Sequence, residues 1–469
     1  MNEKLLEALD EISDRHILEA ARQKRSRVPL LIRSAAAVLA VVLVLALVRP
    51  HAPTAAAVEL VCPAAYETLP PRPRSDDYRD EEIWKAELEA WKQLQVRKNE
   101  EAILAAGPLG EFYRKSSAQF LTGTQNEVWS PAGAYYSLSM MAQITSGTTR
   151  QEILSVLGQP DLESLRQEVR ALVNDISSSE WETRRQLAAS VWLDRNTDYE
   201  MEALSILGSD FYASVFQTDL ADPASAEQIR GWIAEKTHGQ AVPEELQTHP
   251  NSVLKLITAM AVDDQWCETF DTERNTEGLF HAPNGDIRCT YLNGRDEMML
   301  SYADGEGYQC VGLDAQTCTL WLILPDEGIT PAQVLAAGTY LDHVLTTYET
   351  EPEEHPVNLT MPKFSIASET DLTGSLKALG ITEAFAMGGD FSETFPENGV
   401  WVDSLKQGIR LEVDEGGIRA SSWEYEETIT LSASEGGPID FTLDRPFLFV
   451  LTTSDHGIPL YAGVVTDPA

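Results

Sequence analysis

Apolar positions change period several times along the chain. Leu5, Leu6, Leu9, Ile12, Ile17 and Leu18 recur at near-helical spacing, which predicts a short amphipathic helix within residues 1–27. The basic residues Arg22, Lys24, Arg25 and Arg27 follow, then Arg33. Ser34 to Val48 carries no charge, and the run extends over residues 28–48 if Arg33 snorkels to an interface. It reads as a single membrane span. Bases on its N-terminal side place 1–27 in the cytoplasm and the remainder outside. A cleaved signal peptide is the rival reading, with Ala55-Ala56-Ala57 offering small residues for a cut. Either reading exports the rest of the chain. Cys62 follows Leu60-Val61 and not a small residue, which speaks against lipoprotein processing.

Prolines 50, 53, 63, 70, 71 and 73 punctuate residues 49–76, which read as an extended linker. Residues 77–106 are rich in Glu, Lys, Ala, Leu and Trp and predict a spacer helix, with Trp84 and Trp91 on one face. Residues 107–469 then mix the two periods. Helical spacing covers 110–121, 132–146, 150–157, 161–177, 201–215 and 224–237. Strand-like runs cover 187–193, 254–263, 318–324, 357–366, 399–404, 408–414, 447–452 and 458–465. Helices gather early and strands late, which predicts an α+β class over a doubly wound sheet.

Composition narrows the function. Apolar residues are 43% of the 469, enough for a large core. The formal charge is −39, from 74 acids against 35 bases, which would repel nucleic-acid phosphates. Acidity itself reads as solubility, or as attraction to a basic partner. The five cysteines, Cys62, Cys267, Cys289, Cys310 and Cys318, show no metal-ligand spacing. They leave both a disulfide and buried free thiols open.

Short motifs then accumulate in a fixed order. Asn126-Glu127-Val128-Trp129-Ser130-Pro131 leads into Thr149, Glu152 and Ile153; Ser130 is placed to cap a helix that Pro131 opens. Phe211 to Phe216, then Ile229, Trp232, Thr237 and Gly239, come next. Leu256, Trp266, Phe270, Thr276, Phe280 and Gly285 follow, with Leu324-Pro325-Asp326 and Met361-Pro362-Lys363-Phe364 after them. The series closes on Val413-Asp414-Glu415-Gly416-Gly417, Arg445-Pro446-Phe447, Gly463 and Pro468. In this order the motifs resemble the serpin family of serine-protease inhibitors, in a bacterial-type member with an N-terminal anchor. The resemblance implies three β-sheets, eight or nine helices and an exposed reactive-centre loop between Glu415 and Phe441. It implies no cofactor and no catalytic residue of the chain's own. The implied partner is a serine (or cysteine) protease, met by a monomer.

By the family's count Gly417 lies fifteen positions before the scissile bond, which places that bond at Leu431-Ser432; a slip of two or three makes Thr428 to Ala433 candidates. Leu at the cleaved position suits proteases with apolar pockets. The hinge would be Glu415, Gly416, Gly417, Ile418, Arg419, Ala420, Ser421 and Ser422. In an inserted strand Ile418, Ala420, Ser422, Glu424 and Glu426 would share the inward face. Two inward carboxylates are costly without partners. The sheet-opening region aligns with Ser130, Gly133, Thr258 and Gln407, where Gly133 removes a hydrogen-bond donor that many relatives carry.

Other chemistry finds little support. Ser252-Val253-Leu254-Lys255 matches the Ser-x-x-Lys of penicillin-binding enzymes, but their further motifs do not follow it. No His-Glu-x-x-His and no phosphate-cradling loop occurs. The expected function is protease inhibition by loop cleavage and insertion. The competing expectation is a non-inhibitory binding module displayed outside the cytoplasm.

Overall fold

A computed structural model of the protein describes residues 58–64, 72–74, 80–177, 184–239, 242–243, 246, 249, 251–346, 353–396, 399–418 and 437–469. The expected cytoplasmic segment 1–27 and the span 28–48 lie outside them. No helix among the described residues is long and apolar enough to cross a membrane.

The first helix, α1 (Glu81–Phe120), is 40 residues long and runs through both the expected spacer and the expected 110–121 helix. The boundary expected at 106/107 therefore falls inside it. Asp80 caps it by accepting the Glu82 N–H at 2.8 Å, and Glu81 and Glu82 complement the positive end of the helix. Pro108 removes one amide hydrogen without ending the helix. Its C-terminal half buries Leu109, Phe112, Tyr113 and Phe120, and the Phe120 ring stacks on Trp129 at 4.4 Å. That burial outweighs the local penalty of proline.

The other helices are α2 (Pro131–Ile144), α3 (Gly147–Leu157), α4 (Leu162–Ile176), α5 (Met201–Ser209), α6 (Pro223–Lys236), α7 (Pro331–Ala337), α8 (Tyr340–Thr346) and α9 (Thr373–Leu379). Every residue of α2 is buried, so it is a central pillar and not an amphipathic surface helix. The expected helix 201–215 stops at Ser209, after Gly208, and the chain turns through Phe211 and Tyr212 into a strand. Gly, Ser and Asp in succession favour that break over continuation.

The strands are β1 (Glu59–Cys62), β2 (Glu127–Trp129), β3 (Arg184–Asp194), β4 (Ala213–Thr218), β5 (Leu254–Gln265), β6 (Thr276–Ala282), β7 (Gly285–Asn293), β8 (Met298–Gly305), β9 (Tyr308–Asp314), β10 (Cys318–Pro325), β11 (Glu354–Pro362), β12 (Phe364–Asp371), β13 (Lys406–Val413), β14 (Gly417–Ile418), β15 (Ile439–Thr442), β16 (Phe447–Thr453) and β17 (Pro459–Val465). One sheet of seven strands runs β1-β4-β3-β5-β14-β13-β12. A second runs β2-β17-β16-β10-β9-β8-β11-β7-β6, with β15 beside β11. Strand β11 pairs β8 over Glu354–Val357 and β7 over Thr360–Pro362. The second sheet thus comprises two halves joined by one strand, which supplies the three-sheet architecture expected. The wholly buried β10, β16 and β17 form its floor and read as continuous apolar runs for that reason.

Three strand expectations change. The run 357–366 breaks at Lys363 into β11 and β12, which belong to different sheets. Residues 399–404 form no strand, although Val402 donates its N–H to the Ala384 carbonyl at 2.9 Å. Within the proline-rich 49–76 segment, β1 adds to the outer edge of the seven-stranded sheet against β4. Val61 and Cys62 pack on the core there. All five cysteines are unbridged; Cys289, Cys310 and Cys318 are buried thiols.

Candidate functional site

Strand β14 is two residues long and enters the seven-stranded sheet between β5 and β13. Gly417 stands opposite Gln265, and Ile418 stands opposite Asp264 and Val413. Below Ile418 no ladder joins β5 to β13, and the chain leaves the described residues at Arg419. The top of the sheet therefore holds the first two residues of a strand whose continuation would run down a slot.

Glycine is required at the entry. A Cβ on Gly417 would lie 2.0 Å from the Asp264 carbonyl oxygen, inside the backbone of β5. The preceding residues are tied down by side chains from three directions. Trp266 donates its indole N–H to the Asp414 carbonyl at 2.8 Å, and its backbone N–H to the Gly416 carbonyl at 3.1 Å. Glu415 accepts from Lys363 Nζ at 2.7 Å and from Asn275 Nδ2 at 2.7 Å. Burial pushes the Glu415 carboxyl up, but these donors outweigh it and hold the pKa below the ordinary value.

Asp264, fully buried beneath Gly417, is the anionic group of this corner. Burial raises its pKa, opposed by the Thr317 hydroxyl at 2.9 Å and the amides of Thr317 and Gln265. Thr317 in turn offers its carbonyl to Arg185 of β3 at 2.8 Å. The corner is polar, but each of these contacts is made.

Lower down, the four residues expected at the sheet-opening region meet. Ser130 caps α2 by accepting the Gly133 N–H at 2.9 Å and donates its hydroxyl to the Leu460 carbonyl at 2.7 Å. Gln407 of β13 clasps the Ser130 backbone, accepting its N–H at 2.8 Å and donating to its carbonyl at 3.2 Å. Thr258 of β5 shares a hydrogen bond of 3.1 Å with Ser137. These side chains line a cavity of about 70 Å³ between β5 and β13, with Met260, Gly408, Ile409 and Tyr461.

Ser137, one helical turn on, donates its hydroxyl to the Gly133 carbonyl at 3.0 Å and places its oxygen 3.1 Å from the Thr258 hydroxyl. A side chain at 133 would compete with Gln407 for space. Ser137 lay hidden from sequence reasoning because its partner is 121 residues away. Asn275, Lys363 and Trp266 were likewise missed as hinge contacts, although Lys363 and Trp266 stand in the motifs that carried the resemblance. Glu415, Gly416, Gly417 and Ile418 are brought together at the slot entry. Arg419, Ala420, Ser421, Ser422, Leu431 and Ser432 lie outside the described residues. Among the described residues no cluster of side chains could hold a metal ion.

Comparison with known proteins gives one answer. The sequence model of the family described as Serpin (serine protease inhibitor) matches residues 111–468. Serpin-Z10 of Arabidopsis thaliana is 26% identical over 367 residues, spanning 73% of this chain and 92% of that protein. Alpha-1-antiproteinase of Callosciurus caniceps is 26% identical over 368 residues, spanning 76% and 86%. The structure of the thermophilic serpin tengpin in its native state superposes with a TM-score of 0.70 at 19% identity, covering 87% of this chain and 99% of that one.

Proposed function

We propose that this chain, which belongs to the serpin family, inhibits serine-type endopeptidases as a suicide substrate. The target's nucleophile attacks the Leu431 carbonyl, the Leu431–Ser432 amide bond breaks, Ser432 leaves as a protonated amino terminus, and Leu431 stays esterified to the protease as an acyl-enzyme. The freed segment from Ile418 onward then enters the slot between β5 and β13 as a new strand and carries the protease with it. The chain contributes no catalytic group; the protease supplies the chemistry, and the sheet supplies the free energy. One observation carries this reading: Gly417 and Ile418 already occupy the top of the slot, with no β5–β13 ladder below them. Residues 28–48 are read as the membrane anchor of a domain held outside the cytoplasm, with secretion as the alternative.

Mixing the protein with elastase-, chymotrypsin- and subtilisin-like enzymes tests the proposal. An SDS-stable covalent band at the summed mass is expected. Clean loop cleavage with full protease activity remaining would overturn it. That second outcome favours a non-inhibitory binding module, whose support is the sequence of the loop: Glu424 and Glu426 would face inward in an inserted strand.

A further inference from the structure

The two ladder pairs of Ile418 define a register for whatever follows it. Ile418 stands opposite Asp264 on one side and Val413 on the other, antiparallel to both. Each further residue of an entering strand advances one position down each neighbour. In such a strand Arg419 would fall between Asp263 and Glu412, Trp423 between Ala259 and Gly408, Glu424 between Thr258 and Gln407, and Tyr425 between Ile257 and Lys406. Lys406 is the first residue of the eight-residue β13, so the two-sided part of the slot ends at Tyr425.

The chemistry of these positions is complementary. Arg419 would meet Asp263 and Glu412 on the outer face, the latter already held by Arg410 at 2.7 Å, where opposite-charge cross-strand pairs are favourable. Trp423 is the bulkiest residue of the segment and falls where the flanks are smallest. A Cβ built on Gly408 meets nothing within 4 Å. Ile233 and Thr237 of α6 line the cavity on that side, and Ala259 packs in one apolar cluster with Ile233 and Trp232. Glu424 would face Thr258 and Gln407 on the inward side, where the second amide proton of Gln407 can donate to a carboxyl group. The next inward residue, Glu426, would face Leu256 beyond the end of β13. The match and the two-sided slot end together.

We propose that the slot between β5 and β13 is matched in register to this chain's own segment Ile418–Tyr425, with Gly408 and Ala259 forming the seat of Trp423 and thereby setting how far and how fast the loop enters. The proposal rests on the insertion reading given above and adds the residues that determine it. Gly408 and Glu412 are therefore positioning residues for insertion, since neither touches the scissile bond.

Thermolysin-nicked full-length protein provides the test, with the cut located by mass spectrometry and the melting temperature measured before and after. Wild type should melt at a much higher temperature once nicked. Gly408→Leu should leave the uncleaved protein unchanged and lose at least half of that rise, and Trp423→Ala in the same chain should restore it. Should Gly408→Leu fail to fold, Glu412→Arg provides the same comparison. It should slow the rise several-fold, and Arg419→Glu should restore the rate. A wild type that gains nothing on nicking would remove both the insertion reading and this match. A wild type that gains, with variants that keep the full gain or are not rescued, would leave insertion standing and overturn the register.

Discussion

Gly133 and Gln407 compete for one volume between α2 and the seven-stranded sheet. A Cβ built on the glycine would lie 3.1 Å from the Gln407 amide nitrogen and 3.1 Å from the Ser130 hydroxyl. Because position 133 is bare, the longer Gln407 side chain reaches from β13 to the Ser130 backbone and holds it by two hydrogen bonds. β13, one wall of the slot, is thereby fastened to the start of the central helix.

Removing that fastening should loosen the uncleaved protein. Ser130 is only 2% exposed, and Gln407→Ala takes the acceptor from its N–H while its carbonyl keeps the Ala134 N–H at 3.0 Å. An unfilled buried donor costs about 1–3 kcal/mol. Urea unfolding of the variant should show a loss of that size.

Gly417→Ala should expel β14 from the sheet. The added methyl would sit 2.0 Å from the Asp264 oxygen, so one strand must move. Overpacking of this kind costs about 1–3 kcal/mol. Amide hydrogen exchange at Trp266, whose N–H bonds to Gly416, should rise markedly in the variant.

The ion pair of Lys363 with Glu415 should lose its contribution in acid. Lys363 is 46% exposed, so Lys363→Met is expected to cost about 1 kcal/mol at most. The Glu415 pKa is depressed when folded. Its stabilisation is therefore present above the ordinary glutamate value of about 4.3 and is lost as pH falls through the lowered folded value. Unfolding free energies of wild type and variant should differ at about pH 6 and converge once the pH has fallen below the lowered folded value.

His456 should give the opposite slope. Its Nδ1 lies 2.8 Å from Asp175 Oδ1 and its Nε2 lies 2.7 Å from Asn99 Oδ1, joining the β16–β17 turn to α4 and α1. The Asp175 carboxylate raises its pKa despite burial and Arg185. The stabilisation is complete below the ordinary histidine value of about 6.5 and is lost as pH rises through the raised folded value. Asp175→Asn should flatten that dependence, as read by thermal melts across this range.

Much of this molecule was legible because its signals are local. The Ser130-Pro131 start of α2, the apolar runs of β10 and β16, and the Glu415–Ile418 hinge each announce themselves within a few residues. Their order along the chain carried the family. What failed to show was set by distant partners. Pro108 looks like a helix boundary, yet buried residues on its C-terminal side carry α1 through it. Residues 59–62 look like linker until β4 offers them an edge.

The sequence by itself determined the capped start of α2 and the apolar strands β10, β16 and β17, since propensity, capping and periodicity act between near neighbours. Only the tertiary structure decided that Ser137 answers Thr258, that Gly133 yields space to Gln407, and that Asp264 and Val413 flank Ile418. All but the Val413 pairing join residues more than a hundred positions apart, and no local pattern encodes which distant atom will arrive within hydrogen-bonding distance.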